Sequence, residues 1–246
     1  MFNGYVSTVR FEGEIEEDFY LKEIPAVKHL MEKGRLELTK NVTVFVGENG
    51  TGKSTLLEAI AVAYGFNAEG GTVNFNFSTN KTHSSLHKNL KIGKKKYPKD
   101  GFFLRAESVY NLASNLEMLY RSEFAQGAET PYGAVSLHEQ SHGESFMSIV
   151  TKRFSGHGLY ILDEPEAALS PMRMLELMAV INELVKEKSQ FIISTHSPLL
   201  MAFPDAEIFE LSEKGIEKVR YDETEHFTLT KQFLDNPERM FKYLFE

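Results

Sequence analysis

Nine residues constrain this chain more than any others: Gly47-Glu48-Asn49-Gly50-Thr51-Gly52-Lys53-Ser54-Thr55, of the form G-x-x-x-x-G-K-[ST]. The apolar, β-branched run Val42–Val46 precedes them and reads as a buried parallel strand. Leu56–Tyr64 follows with Leu57, Ile60, Ala61 and Tyr64 on one helical face, and Gly65 is a fitting stop. Strand, glycine-rich turn and helix in that order make a phosphate-binding loop. The glycines let the backbone wrap phosphates with N–H groups pointing inward, and the helix N-terminus favours negative charge. Lys53 is placed to reach the terminal phosphates. The Ser54 hydroxyl suits Mg²⁺, and Thr55 adds a further hydrogen bond. A chance glycine-rich turn is the competing reading, and the correct flanking elements weigh against it.

The rest of the pattern alternates strands and helices. Strands are expected at 5–12, 36–38, 101–106, 159–162 and 191–194, with alternating Val73, Phe75 and Phe77 as another. A hairpin is expected at 206–211 and 216–221, turning at Lys214-Gly215. Helices are expected at 25–34, 108–124, from near Gly143 to Phe154, and at 171–188, with a loop at 126–133. A final helix would be capped by Asn236 and opened by Pro237. This order implies an α/β sheet with helical cover. With 246 residues, of which 42% are apolar, the chain is expected to form a single domain with a proper core. There are no cysteines, which excludes disulfides and thiolate metal sites. No apolar run is long enough to span a bilayer, and the first residues lack the pattern of a signal peptide, so a cytoplasmic location is expected. A net charge of −8 argues against a uniformly basic surface. Even so, Lys88, Lys91, Lys94, Lys95, Lys96 and Lys99 cluster. Such a cluster is ordinarily a solvated hairpin or loop, and the sharper alternative is a contact for DNA phosphates or an acidic partner.

Leu159–Glu164 is an apolar strand ending in two acids, at the end of the strand where open α/β sheets bind ligands. It resembles a Walker B strand. Asp163 would then hold Mg²⁺ through water, and Glu164 would polarise the attacking water. His196 closes the strand Phe191–Thr195, where it can hydrogen-bond a γ-phosphate and that water. Gln140-Ser141-His142-Gly143-Glu144 precedes a helix and the Walker B strand.

Together these motifs resemble the ATP-binding-cassette (ABC) superfamily, whose signature loop reads LSGGQ or LSGGE. Ser141, Gly143 and Glu144 match it, while His142 replaces a glycine and Gln140 the leucine. Ala167-Ala168-Leu169-Ser170 fits the D-loop and His196 the switch histidine. More narrowly, the chain is similar to small stand-alone ATPases grouped with SMC-like and DNA-repair ATPases, and 230–238 also looks like that group. The resemblance covers nearly the whole chain. It implies a P-loop ATPase fold with a central, mostly parallel sheet, an antiparallel β subdomain and a helical lobe at about 108–156. It further implies Mg²⁺-dependent ATP hydrolysis with Lys53, Glu164 and His196 as catalytic residues. The implied assembly is a head-to-tail homodimer closed by ATP, in which Ser141, His142, Gly143 and Glu144 face the partner copy's nucleotide, with an actuated protein partner. The usual Mg²⁺-sensing glutamine is missing, and Arg105 or Glu107 stands near its place. Phe19 and Tyr20 are candidates for stacking the base. The span between the Walker motifs is too short for an SMC coiled coil.

Three rival readings stand beside this one. One is a nucleotide-binding subunit of a membrane transporter. Another is a DNA-linked module in repair or defence, paired with a nuclease. The third starts from His138-Glu139-Gln140-Ser141-His142, which matches the zinc-protease pattern H-E-x-x-H. That chemistry needs both histidines on one face of a regular helix, and Gly143 together with the loop around Pro131 argues against it. His83 and His87, also spaced i, i+4, read as surface residues.

Overall fold

The computed structural model describes residues 2, 4–15, 19–73, 84–109 and 141–245. Phe75, Phe77, His83, the helix expected beyond Val109, the loop at 126–133, and His138 to Gln140 lie outside the described residues.

Among the described residues, a six-stranded sheet carries the centre of the molecule. Its strands are β3 (Val42–Gly47), β5 (Asp100–Arg105), β6 (Gly158–Asp163), β7 (Gln190–Ser194), β8 (Glu207–Ser212) and β9 (Gly215–Val219), in the spatial order β5-β6-β7-β3-β8-β9. The pairs from β5 to β8 are parallel, and β9 joins β8 as an antiparallel hairpin. A second sheet is antiparallel, with β1 (Thr8–Phe11) between β2 (Arg35–Glu37) and β4 (Leu90–Gly93).

Side-chain alternation along the strands divides the core in two. Val42, Val44, Val46, Phe102, Leu104, Tyr160, Leu162, Phe191 and Ile193 point to one face. There they meet α3 (His142–Arg153), α4 (Pro171–Lys186) and the short α5 (Pro198–Met201). Phe45, Phe103, Leu159, Ile161, Ile192 and Phe209 point to the other face. They pack against α1 (Pro25–Lys33), α2 (Lys53–Tyr64) and the antiparallel sheet. The period of two sends neighbouring residues of a buried strand to opposite cores, so these strands are apolar almost throughout. Leu177 and Ile181 of α4 are fully buried. Burial of one such side chain contributes about 1.5–3 kcal/mol.

Two helices close the chain, α6 (Glu225–Asp235) and α7 (Pro237–Phe245). Asn236 Oδ1 accepts from Arg239 N at 3.0 Å, the cap expected at that point. α6 was not anticipated from the sequence, and neither helix contains a fully buried residue. The lysine-rich segment is also more ordered than a solvated loop. Lys88 sits in a 3₁₀ turn and Lys91 in β4, while Lys94 Nζ lies 3.8 Å from the centroid of the Tyr64 ring. Leu86 and Leu90 anchor the segment in the core beside α2, which fixes the flanking lysines. Among the described residues, no helix is long and apolar enough to cross a membrane.

Candidate nucleotide site

The glycine-rich loop joins β3 to α2, and two of its glycines are required by close approach. At Gly47, φ is 137° and a Cβ would stand 2.1 Å from the Leu211 carbonyl oxygen. At Gly52, φ is 99° and a Cβ would meet Ile24 Cγ2 at 2.3 Å. Both conformations are open to glycine and strained for other residues. Ala26 N donates to Thr51 O at 3.2 Å, which ties the loop to the start of α1. Phe19 and Tyr20 are exposed in the 3₁₀ turn leading into that helix.

Inside the loop, Thr51 Oγ1 and Lys53 Nζ both donate to the Glu48 carbonyl, at 2.8 and 3.1 Å. Asn49 and Gly50 stand exposed at its tip, and Thr55 lies in the first turn of α2. Lys53 is only 4% exposed. Burial lowers its pKa, against the opposing pull of Glu164, Asp163, Glu166 and Glu48.

Strand register assembles the acidic side of the site. Arg105 pairs with Asp163, and Asp163 pairs with Ser194, across three parallel strands. Neighbours in register share a face, so all three side chains point toward α2. Asp163 is buried, and this raises its pKa. The Ser194 hydroxyl, the Arg105 guanidinium and the Ser54 hydroxyl each favour its ionised form. Ser194 Oγ donates to Asp163 Oδ1 at 2.5 Å. Arg105 Nη1 donates to Glu58 Oε2 of α2 at 2.8 Å, and Nη2 to Glu107 Oε1 at 2.6 Å.

The chain then turns sharply. Glu164 has φ 48° and ψ 54°, the left-handed region, and opens the 3₁₀ turn Pro165–Ala167. A non-glycine residue held there costs about 1–2 kcal/mol, and such strain gathers at functional sites. Glu164 N donates to Ser194 O at 3.1 Å, which holds the turn. Ser54 Oγ lies 3.5 Å from Glu164 Oε1, and His196 Nε2 also lies 3.5 Å from that oxygen. Burial and the Lys53 charge lower the His196 pKa. Lys53, Ser54, Asp163, Glu164 and His196 therefore stand together at one end of the sheet, contributed by α2, β6 with the turn after it, and the segment after β7.

Residues not singled out from the sequence complete this end. Glu166 Oε1 accepts from His196 N and Oε2 from Thr195 Oγ1, and these bonds brace the backbone after β7. Burial raises the Glu166 pKa, partly offset by the bond from His196 N. His226 of α6 places Nε2 3.1 Å from His196 Nδ1. The D-E-P-E run could have suggested Glu166. Nothing in the order of residues marks Ser194 or His226.

Ser141 caps α3. Its hydroxyl donates to Glu144 Oε2 at 2.7 Å, and its backbone N–H donates to the same oxygen at 2.9 Å. Ser141 is extended (φ −63°, ψ 159°) and His142 is the first helical residue. Ser141 therefore stands outside any helix, whereas H-E-x-x-H chemistry needs a regular helix running through it to His142. Ser141, His142 and Glu144 are exposed. Gly143 packs against the segment after β6, where a Cβ would lie 2.9 Å from Ala168 O.

Ser54 and Asp163 offer a hydroxyl and a carboxylate beside the phosphate loop. Such hard oxygen donors suit Mg²⁺, which is commonly held by one or two side chains plus phosphate oxygens. Among the described residues, no group of three His, Cys, Asp or Glu side chains is arranged to hold a metal unaided.

Comparison with known proteins gives the family. A family model described as "AAA domain" matches residues 27–235. The ribose import ATP-binding protein RbsA of Bacillus cereus is 28% identical over 174 residues, 64% of this chain and 35% of its own length. The chain thus spans about a third of that relative. The cytochrome c biogenesis ATP-binding export protein CcmA of Aliivibrio fischeri is 26% identical over 68% of this chain and 84% of its own. An ABC transporter solved in an inward-facing conformation aligns with 94% of this chain and 89% of its own, with a TM-score of 0.50 and 15% identity, a likeness of fold alone. With a phosphate loop, an acid-tipped parallel strand and a capped helix ahead of it in the cassette order, the chain belongs to the AAA domain family, within the ABC superfamily of P-loop ATPases.

Proposed function

We propose that the chain binds and hydrolyses ATP with Mg²⁺, as one ABC-type domain over residues 1–246 with a helical lobe at about 108–156. In this reading, ATP closes two copies head to tail, and the cycle actuates a protein or DNA partner in the manner of an SMC-like module in the cytoplasm. The observation that carries this reading is the convergence of Lys53, Ser54, Asp163, Glu164 and His196 at one end of the sheet, next to a helix N-terminus.

Lys53 and the amides of residues 47–55 bind and orient the phosphates. Ser54 and, through water, Asp163 would hold Mg²⁺, which would supply neutralisation of phosphate charge. Glu164 orients and polarises the attacking water, and His196 contacts the γ-phosphate. Positioning and electrostatics provide most of the rate enhancement in phosphoryl transfer, so these groups suffice without a covalent step. Ser141, His142, Gly143 and Glu144 face the nucleotide of the partner copy. Hydrolysis then removes what holds the two copies together.

The test is the solution mass of Glu164→Gln with and without Mg-ATP. A monomer that becomes a dimer only with Mg-ATP is the expected result. A mass indifferent to ATP, despite proven binding, would sink the composite site. The names of RbsA and CcmA favour a second reading, a transporter's nucleotide-binding subunit. Recovery of the chain in a membrane complex would establish that reading over the SMC-like one.

A further inference from the structure

His196 and His226 come from segments thirty residues apart, and their rings meet over one hydrogen bond, His196 Nδ1 to His226 Nε2 at 3.1 Å. Two neutral imidazoles share one proton across such a contact, and the surroundings of the outer nitrogens decide which ring carries it. At one end, His196 Nε2 faces Glu164 Oε1 at 3.5 Å. A carboxylate oxygen favours a proton on the nitrogen that faces it. At the other end, His226 Nδ1 is buried and, among the described residues, has no hydrogen-bond partner. An N–H there would be a donor removed from water with nothing to receive it, and an orphaned buried N–H is rarer than an under-used acceptor. Both ends select the same arrangement. His226 carries its proton on Nε2 and donates it to His196 Nδ1, leaving the His196 proton on Nε2.

We infer that His226 is a positioning residue that holds His196 in its Nε2–H tautomer, so that His196 offers the site a hydrogen-bond donor and not a base. The inference rests on the proposed ATPase reading for its consequence, since a donor at Nε2 suits a γ-phosphate oxygen. Its structural content is independent of nucleotide. His226 lies on α6, whose capping Thr224 is fully buried and whose remaining residues are half-buried or exposed. α6 thus delivers one ring to the sheet end, while its Phe227 meets Tyr221 and its Phe233 meets Phe241 of α7.

The experiment is ¹⁵N–¹H correlation of the imidazole rings in the full chain, nucleotide-free at pH 8. His196 is assigned from the signals missing in His196→Gln. The expected result is a protonated Nε2 and an unprotonated Nδ1 for His196 in the native chain. His226→Leu should release this preference and yield a mixture or the opposite tautomer. His226→Gln, whose side-chain amide can still donate, should restore it. In turnover, His226→Leu should lower kcat by about tenfold, the scale on which a group orienting a working ligand acts. It should leave the ATP concentration for half-saturation nearly unchanged, and His226→Gln should recover most of the loss. A native His196 protonated on Nδ1 overturns the inference, as does a tautomer that His226→Leu leaves unchanged. If His226→Leu does not fold, the native spectrum and His226→Gln still decide. If no ATP is bound or hydrolysed by the native chain, the ATPase reading falls while the tautomer assignment stands on its spectrum.

Discussion

Arg105 Nε lies 3.4 Å from Asp163 Oδ2, so a guanidinium from β5 faces the buried carboxylate that ends β6. Arg105 also pairs with Glu58 on α2 at 2.8 Å, with both side chains less than one-fifth exposed. One cation thus joins two strands and the helix of the phosphate loop. Replacing it by alanine leaves three carboxylates short of a partner, Asp163 and Glu58 beneath the surface and Glu107 on it. Arg105→Ala should therefore lose about 2 kcal/mol of stability in the nucleotide-free state, a fall of roughly 4–8 °C in Tm. Thermal unfolding of the two proteins checks this. Saturating Mg-ATP should narrow the gap, because the added cation faces the same acid.

Gly143 sits where α3 meets the segment after β6. An alanine there would put its Cβ 2.9 Å from Ala168 O. Alanine is the better helix former by up to about 1 kcal/mol, but backbone cannot withdraw as a flexible side chain can. Gly143→Ala should therefore be destabilising by about 1 kcal/mol net, and should slow ATP turnover more than it weakens ATP binding. Urea unfolding and steady-state kinetics together test this, and an unchanged kcat would show that the contact is only packing.

Glu207 is a buried acid that neighbouring donors keep ionised. Burial pushes its pKa up, but bonds from Thr39, Lys218 and Lys40 prevail and leave it lowered. Thr39 N, Thr39 Oγ1, Lys40 N and Thr43 Oγ1 donate to it at 2.6 to 3.0 Å. A carboxyl whose folded pKa lies below its unfolded one stabilises fully above the unfolded value, about 4.3 for glutamate, and that stabilisation is lost as pH falls through the folded value. Glu207→Gln should cost about 2 kcal/mol at pH 7. The gap between the two proteins should shrink below pH 4, as read by chemical unfolding across pH.

For the proposed DNA contact, the lysines after β4 are unequal. Lys94 Nζ lies over the Tyr64 ring and Lys95 Nζ lies 5.2 Å from the Phe2 centroid, while Lys96 stands exposed. Neutralising all three with glutamine should flatten the slope of log affinity against log salt by about 2–3 if each meets a phosphate. Fluorescence anisotropy with duplex DNA measures that slope. An unaltered slope would remove this patch from any DNA interface.

The residues that touch phosphate were legible in the sequence because their chemistry is local. A turn of Gly50-Thr51-Gly52-Lys53-Ser54 between an apolar strand and a helix fixes its own conformation within nine residues, and two acids at a strand end announce a ligand edge. The periodicity of buried strands gave β3, β6 and β7, and the helix-cap pair Asn236-Pro237 gave α7. β4 was hidden because lysines flank its few apolar anchors. α6 was hidden because it has no fully buried residue to show a period. The partnerships of the site were beyond any local pattern. Arg105 meets Asp163 and Asp163 meets Ser194 only because parallel register aligns three strand ends distant in the chain. His226 meets His196 only because α6 folds back to the sheet end. Sequence determined which groups could carry the chemistry, since backbone preference and side-chain type are properties of short stretches. Tertiary structure decided which neighbours set their charge, tautomer and strain, since those depend on distances between segments that periodicity does not encode.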